Sequence, residues 1–342
     1  MRILVVTQEI DKESPTLGFF HEWVRILAPH YERVEVICLK EGVHDLPQNV
    51  RIHSLGKEKG RVSPLLYAIR FKLLAWKLRH EYDAVFVHMN QEYILVAGPL
   101  WKLLGKRVYL WRNHYAGSIL TDIAAAFCAN VFCTSTHSYT AKYKKTKLMP
   151  VGVELARFHE AAALSKKANS LLFLARIAPS KRPEMFIEAL GILRVHGVPF
   201  SARIVGTALP HDAAYYESLT QQAARLGISD SVEFVSGVPH AQTAEFFGTS
   251  LITVNCSRSG MFDKTLFEAA AAGSLVLAIS DDFARSVNTD SSFTDSASLA
   301  TRIESLFSMT PEQMHEQREL LEKAAHSNSL ESLAGALSAA IL

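Results

Sequence analysis

Residues 250–280 read "SLITVNCSRSGMFDKTLFEAAAAGSLVLAIS". Two short apolar runs, "SLITVN" (250–255) and "SLVLAIS" (274–280), bracket a loop and a short helical stretch. Runs that are apolar on both faces suit strands of a parallel sheet covered by helices on both sides. Between them a helix is predicted over Lys264 to Ala272, with Asp263 placed to cap its start and Gly273 to end it. The four alanines, Ala269 to Ala272, let that helix lie close to a neighbouring backbone. Glu268, one turn in, has two readings. It forms an exposed i, i+4 pair with Lys264, worth about 0.3 kcal/mol. Or it is a carboxylate that accepts two hydroxyls, as a ribose offers, behind a loop whose Gly260 turns backbone N–H groups toward an anion.

The same rhythm runs through the whole chain. "RILVVT" (2–7), "RVEVICL" (33–39), "DAVFVH" (83–88), "RVYLW" (107–111) and "ANVFCTS" (129–135) read as strands, with helical spacing over Leu17 to Leu27 and Leu65 to Leu78. "SLLFLA" (170–175), "SARIVG" (201–206) and "SVEFVS" (231–236) continue the pattern, with helices predicted from Arg182 to Val195 and from Asp212 to Leu226. Strands alternating with helices give an α/β fold with two parallel sheets of about six strands each. The stretch from Pro150 to Asn169 has turn signals, charge and little strand pattern. The expected domains are therefore 1–160 and 161–342, with the last helix able to pack back on the first domain. Pro311 suits the first position of a helix capped by Thr310. Two doubly wound domains leave a cleft between them, and ligands of such sheets bind beyond the carboxyl ends of the strands.

Composition narrows the classes. The 342 residues are 49% hydrophobic and 20% charged, with a formal net charge of +2. That balance fits a soluble globular chain and argues against a nucleic-acid partner. Four cysteines without a CxxC pair point to a reduced, cytoplasmic compartment. The apolar start ends at Gln8 and Glu9, as a first strand does and a signal peptide does not. No run approaches the ~20 apolar residues of a membrane span. No G-x-G-x-x-G follows the first strand and no P-loop is present, which argues against a dinucleotide dehydrogenase and a P-loop NTPase. No His, Cys or Asp cluster has metal-ligand spacing, so no metal and no cofactor are expected.

Three further stretches follow strands. In "ARIAPSKRPEMFIEAL" (175–190), Arg176 and Lys181 precede a helix whose dipole disfavours cations there, a conflict that a bound phosphate removes. A solvated basic turn is the alternative. In "WRNHYAGS" (111–118), His114 reads as a sugar contact or as a structural histidine. In "DKESPTLGFF" (11–20), Gly18 permits close approach of an anion. Two basic features remain: "KYKKTK" (142–147), and residues 61–79, where Arg61, Arg70, Lys72, Lys77 and Arg79 stand among Leu, Ile, Phe and Trp. The second is either an interfacial helix that touches anionic lipid or the solvated face of a packed helix.

Taken in order, "DAVFVHMNQEYILVAG", "LWRNHYAGS", "VFCTSTHSY" and "MPVGVELARF", then "LLFLARIAPSKRPEMFIEAL", "ARIVG", "YYESLTQQAARLGISDSVEFVSGVP" and "FDKTLFEAAAAGSLVLA", resemble successive blocks of the retaining glycosyltransferases of family 4. The resemblance implies the GT-B fold, two Rossmann-like domains facing a cleft. It implies that Arg176 and Lys181 bind the diphosphate of a UDP- or GDP-linked sugar, and that Glu268 holds the donor ribose. Backbone groups near Val238 would meet the base, with Gly260, Met261 and Phe262 lining the donor loop. His114 would contact the transferred sugar, and Gly18 would lie in the loop that approaches the donor phosphates, although the family's Gly-Gly pair is absent. Glu268 matches the second acid of a Glu-x7-Glu motif whose first position here is Gly260. Ser257, Gly260, Asp263 and Lys264 fit a variant pattern, Ser-x-x-Gly-x-x-Asp-Lys, in which Asp263 is the nearest acid for the donor sugar.

The implied reaction is metal-independent transfer of the sugar to a hydroxyl acceptor with retention, by a front-face route in which the leaving phosphate takes the acceptor proton. A carbohydrate or lipid-linked acceptor in bacterial surface polysaccharide or glycolipid assembly fits, with peripheral contact at the inner face of a membrane. A GT-B nucleotide-sugar epimerase and a non-catalytic nucleotide-sugar-binding protein are the alternatives.

Overall fold

The apolar runs form parallel strands in the computed structural model, which describes residues 1–14, 17–60, 62–260, 264–287 and 291–342. The first half holds β1 (Arg2–Ile10), α1 (Gly18–Leu27), β2 (Arg33–Glu41), β3 (Val50–Ser54), α2 (Pro64–Lys77), β4 (Ala84–His88), α3 (Glu92–Leu103), β5 (Arg107–Trp111), α4 (Ile119–Ala126), β6 (Asn130–Cys133) and β7 (Thr146–Leu148). They pair in the order β3-β2-β1-β4-β5-β6-β7, every neighbour parallel. Strand β1 shows the cause. Ile3 and Val5 bury against one face with Phe20, Trp23 and Leu333. Leu4 and Val6 bury against the other with Phe71, Ala97 and Trp101. Alternation with both faces apolar requires cover on both sides.

The second half continues with α5 (Ala156–Ala162), β8 (Lys167–Leu174), α6 (Pro183–Val195), β9 (Ser201–Val205), α7 (Ala213–Arg225), β10 (Val232–Val235), α8 (Thr243–Thr249), β11 (Ser250–Asn255), α9 (Thr265–Ala271), β12 (Leu275–Ala278), α10 (Asp281–Val287), α11 (Ser296–Phe307), α12 (Pro311–Ser327) and α13 (Leu330–Ile341). Its five strands lie in the order β10-β9-β8-β11-β12, again all parallel. The sheets thus have seven and five strands rather than about six each. The unforeseen strands, β3 and β7, are the two edges of the first sheet. Neither contains a fully buried residue, so neither carries an apolar run to read.

Two units result, Met1–Gly152 with Leu330–Leu342, and Val153–Ser329. The first crossing lies earlier than the expected 160/161, because α5 belongs to the second core: the Phe158 and Phe247 rings meet at 6.0 Å. Helix α13 returns to the first unit, where Leu330, Leu333 and Leu337 join the core beneath α1. Thr310 caps α12 as the sequence predicts, its hydroxyl accepting from the Gln313 amide at 3.3 Å while the Gln313 side chain accepts from the Thr310 amide at 3.0 Å. Such a cap is worth about 1 kcal/mol.

In each sheet the strand order reverses once, between β1 and β4 and between β8 and β11. Ligands of doubly wound sheets bind outside the carboxyl ends of the strands at this reversal.

Candidate functional site

Strands β8 and β11 run parallel with Leu172 opposite Thr253, so the loops after both leave the sheet at the same edge. Those loops are the two cation- and acid-bearing stretches singled out in the sequence. After β8 the chain stays extended: the Ala175 amide donates to the Val205 carbonyl and the Ile177 amide to the Thr207 carbonyl, both at 3.1 Å. Ile177 is buried, and the exposed Arg176 between them projects to the opposite side. A Cβ on Gly206 would sit 1.9 Å from the Ala175 carbonyl oxygen, so only glycine lets β9 approach this loop. A tight turn over Pro179–Lys181 follows, with Lys181 half-buried. Arg182 then takes the left-handed conformation at φ 56, and α6 opens at Pro183 rather than at Arg182. A left-handed non-glycine residue costs about 1–2 kcal/mol, and such residues gather at functional sites.

The loop after β11 is tied to its own framework. The Asn255 side chain accepts from the Ser257 amide at 2.8 Å, and the Ser259 hydroxyl accepts from the Asp281 amide at 3.1 Å. Gly260 is at φ 87, and its amide donates to the buried Asp282 carboxylate at 3.3 Å. This loop N–H therefore already faces an anion, one the chain itself supplies. Met261, Phe262 and Asp263 lie outside the described residues.

Helix α9 answers the question about its acid. Leu266 through Ala271 are all buried, because α9 is wedged among α5, α8, α12, β11 and β12. Alanines make that packing sterically possible. Lys166 bonds the Ala272 carbonyl at 2.8 Å, and Arg318 bonds the Gly273 carbonyl at 3.0 Å, so two cations satisfy the end of α9. Glu268 is only 4% exposed. The exposed ion-pair reading is thereby overturned: a carboxylate so buried is costly unless it is partnered. Its partner is His240, whose Nε2 lies 3.0 Å from Oε1. That hydrogen bond raises the His240 pKa against the lowering effect of burial. Lys264, one turn before Glu268, is pulled down to about 8 by burial while the carboxylate pulls the other way.

Sequence reasoning did not select His240. The usable signal was its place, just past β10 and Pro239, beyond the carboxyl end of a strand. Val238 lies in the same connection, half-buried, next to Gly237, whose amide donates to the Thr207 hydroxyl at 3.1 Å. The second unit thus brings the connections carrying Arg176, Lys181, Val238, Gly260 and Glu268 to the carboxyl edge of one sheet.

Gly18 and His114 belong to the first unit. Gly18 is the first residue of α1 rather than a loop residue, and a Cβ there would stand 3.0 Å from the Lys12 carbonyl oxygen. His114 follows β5, half-buried, with its ring stacked on Tyr115 at 4.6 Å. Its Nδ1 accepts from the Ala116 amide at 2.9 Å. In the neutral ring this places the proton on Nε2, which then serves as a donor. The basic run over 142–147 is structural in part. Lys142 pairs with Asp122 at 2.8 Å and Lys145 bonds the Cys128 carbonyl at 2.7 Å.

A cavity of about 400 Å³, lined by Lys167, Phe200, Arg203, Asp230 and Glu233, lies at the amino ends of β8, β9 and β10. That is the opposite edge of the sheet from the loops above, so its size does not make it the site. No helix among the described residues is long and apolar enough to cross a membrane.

Comparison with known proteins bears on the fold and the family. A D-inositol 3-phosphate glycosyltransferase of Streptomyces scabiei is 35% identical over 155 residues, covering 42% of this chain and 35% of the relative. The match spans about a third or less of the curated relatives' length. Among solved structures, Anabaena HepE in complex with UDP superposes with a TM-score of 0.76 at 17% identity, over 99% of both chains. Sucrose-phosphate synthase from Thermosynechococcus elongatus gives 0.77 at 15% identity, over 99% of this chain and 98% of the other. These likenesses show the GT-B fold. The family described as glycosyl transferases group 1 matches residues 156–327, which carry both loops and α9. The chain belongs to the group 1 glycosyl transferases.

Proposed function

We propose that this protein is a retaining glycosyltransferase that moves a sugar from a UDP- or GDP-linked donor to a hydroxyl of a carbohydrate or lipid-linked acceptor. The observation that carries the proposal is the buried Glu268 carboxylate on the element that follows β11, the strand beside β8 at the sheet's reversal point. Family membership and the UDP bound to HepE support it.

The chemistry follows from charge. As the bond to the anomeric carbon breaks, negative charge grows on the leaving diphosphate and positive charge on the sugar. Arg176 and Lys181 stabilise the first, an interaction stronger in the transition state than in the ground state. Glu268 accepts the ribose hydroxyls, exchanging its bond to His240 for two bonds to the nucleotide. His114 donates through Nε2–H to a hydroxyl of the transferred sugar. The cations take the role a metal plays in other transferases, and the leaving phosphate accepts the acceptor's proton.

The acceptor side is read from α2. Phe71 and Ala75 face the core, while Leu65 is 71% exposed, Leu73 64% and Trp76 46%. These residues and Ile69 share one stripe, flanked by Arg70, Lys72 and Lys77 and by Arg79 stacked over Trp76 at 4.3 Å. An exposed apolar stripe between basic residues fits the headgroup region of an anionic bilayer. Four free cysteines fit a reducing compartment, on the cytoplasmic face.

The test is a thermal-shift panel of UDP- and GDP-sugars followed by transfer assays with the donor that binds. A selective shift with one nucleotide and transfer to a hydroxyl acceptor supports the proposal. No shift with either nucleotide overturns it. For the membrane contact, the protein is expected to sediment with vesicles containing anionic lipid and not with neutral ones. Leu73→Glu with Trp76→Glu removes that binding, and equal sedimentation of this variant contradicts it.

A further inference from the structure

We infer that His159, Glu322 and His326 form a binding site for a transition-metal ion, of which Zn²⁺ is the fitting member. One ligand atom from each lies within 4.8 Å of the other two, a grouping of three metal-ligating side chains found once among the described residues. His159 comes from α5, whereas Glu322 and His326 stand one turn apart on α12, so the sequence shows only two of the three together. Three further observations point to a cation. The Nε2 of His159 is buried and has no hydrogen-bond partner. The His159 and His326 rings meet at 5.0 Å, tilted by 49°, which brings two imidazoles together. His326 is in the last turn of α12, where the helix dipole favours positive charge.

Two imidazoles and a carboxylate are a donor set for Zn²⁺, with solvent completing the tetrahedron. Around such an ion the ligand atoms sit roughly 3.3 Å apart, with bonds of about 2.0–2.1 Å. The side chains must therefore draw inward. Glu322 Oε1 and His326 Nε2 are 3.9 Å apart, and these side chains are 57% and 58% exposed, so a rotamer change suffices. Hard cations such as Mg²⁺ prefer all-oxygen sites and fit poorly.

The position gives the ion a structural role. Helix α5 follows the first crossing between the units and α12 precedes the second. The two segments already touch, where the Val153 amide donates to the Asn328 carbonyl at 3.0 Å. Both helices also pack against α9, which carries Glu268. A metal joining α5 to α12 clamps the frame behind that carboxylate. This inference does not depend on the proposed transfer activity.

The experiment uses the tag-free full chain, stripped with a chelator. Zn²⁺ is titrated calorimetrically and Co²⁺ is followed by its visible absorption. One saturable site is expected, with a Co²⁺ spectrum of low coordination number and a higher melting temperature with Zn²⁺ but not with Mg²⁺. His326→Ala and Glu322→Gln alter exposed side chains and should each lower Zn²⁺ affinity about tenfold or more. His315→Ala is the control, because His315 and Glu319 form a similar pair on the same helix at 3.3 Å but are not part of the three-residue grouping. It should bind as the parent does. Absence of a saturable site, unchanged affinity in His326→Ala, or an equal loss in His315→Ala overturns the inference.

Discussion

The two reversal points of this molecule differ in how much chemistry they carry. At β8/β11 the following elements bring a cation on an extended segment, a left-handed Arg182, a glycine-shaped loop and a buried carboxylate. At β1/β4 the histidine that ends β4 is spent on the fold. His88, at the end of β4, is buried, 3.4 Å from the Thr7 hydroxyl and stacked on Phe20 at 3.9 Å. The first unit keeps its unusual surface elsewhere, on the apolar and basic face of α2. On the proposed function, the contrast sets a donor edge carried by individual residues against an acceptor face carried by exposed surface. The first is readable as a motif and the second only as exposure.

The largest effect that would break this contrast is expected at Arg176. Arg176→Ala should lower kcat/KM by about 10²–10³-fold. Because Arg176 is exposed, stability should stay within about 0.5 kcal/mol. Near-normal transfer by the folded variant would remove the donor assignment. Next is His114→Ala, expected to lower kcat by about 10²-fold while leaving nucleotide affinity unchanged. A loss of UDP or GDP affinity instead would place His114 on the donor nucleotide. Glu268→Gln should then weaken nucleotide binding by about tenfold, since a neutral amide accepts ribose hydroxyls less strongly. A deoxyribose donor should show no further loss in that variant; an additional loss would separate Glu268 from the ribose.

The smallest effect is in stability against pH. The bond to Glu268 raises the pKa of His240 above its ordinary 6.5. The contribution of that pair is therefore complete below the unfolded value and fades as pH rises through the raised folded value. Melting temperature measured between about pH 6 and 8 should fall less steeply in His240→Gln than in the parent. Parallel curves would show that the pair contributes nothing in solution.

Much of the second unit was legible because buried parallel strands leave unbroken apolar runs. "SLITVN" and β11 coincide residue for residue. Strands β3 and β7 contain no buried residue, left no such run and were invisible, whereas β10 and β12, also at the edges of their sheet, did leave runs. The role of Glu268 was half legible. Spacing to Lys264 permitted an exposed pair, and only the packing of α9 against three helices and two strands excluded it. His240 was missed because its partner is distant in sequence and a lone histidine after Pro239 signals nothing by itself. The same reason hides His159, whose companions come from α12. Asp263, the acid expected to replace the one Gly260 does not supply, lies outside the described residues together with Met261 and Phe262.

The central claim is that the carboxyl edge of the second sheet, at β8/β11, holds the donor nucleotide. A crystal structure of the protein with UDP or GDP tests it most directly. The account predicts the diphosphate against Arg176 and Lys181, and both ribose hydroxyls on the Glu268 carboxylate with His240 displaced. Nucleotide bound in the cavity at the amino ends of β8–β10, or bound with Glu268 still paired only to His240, would contradict it.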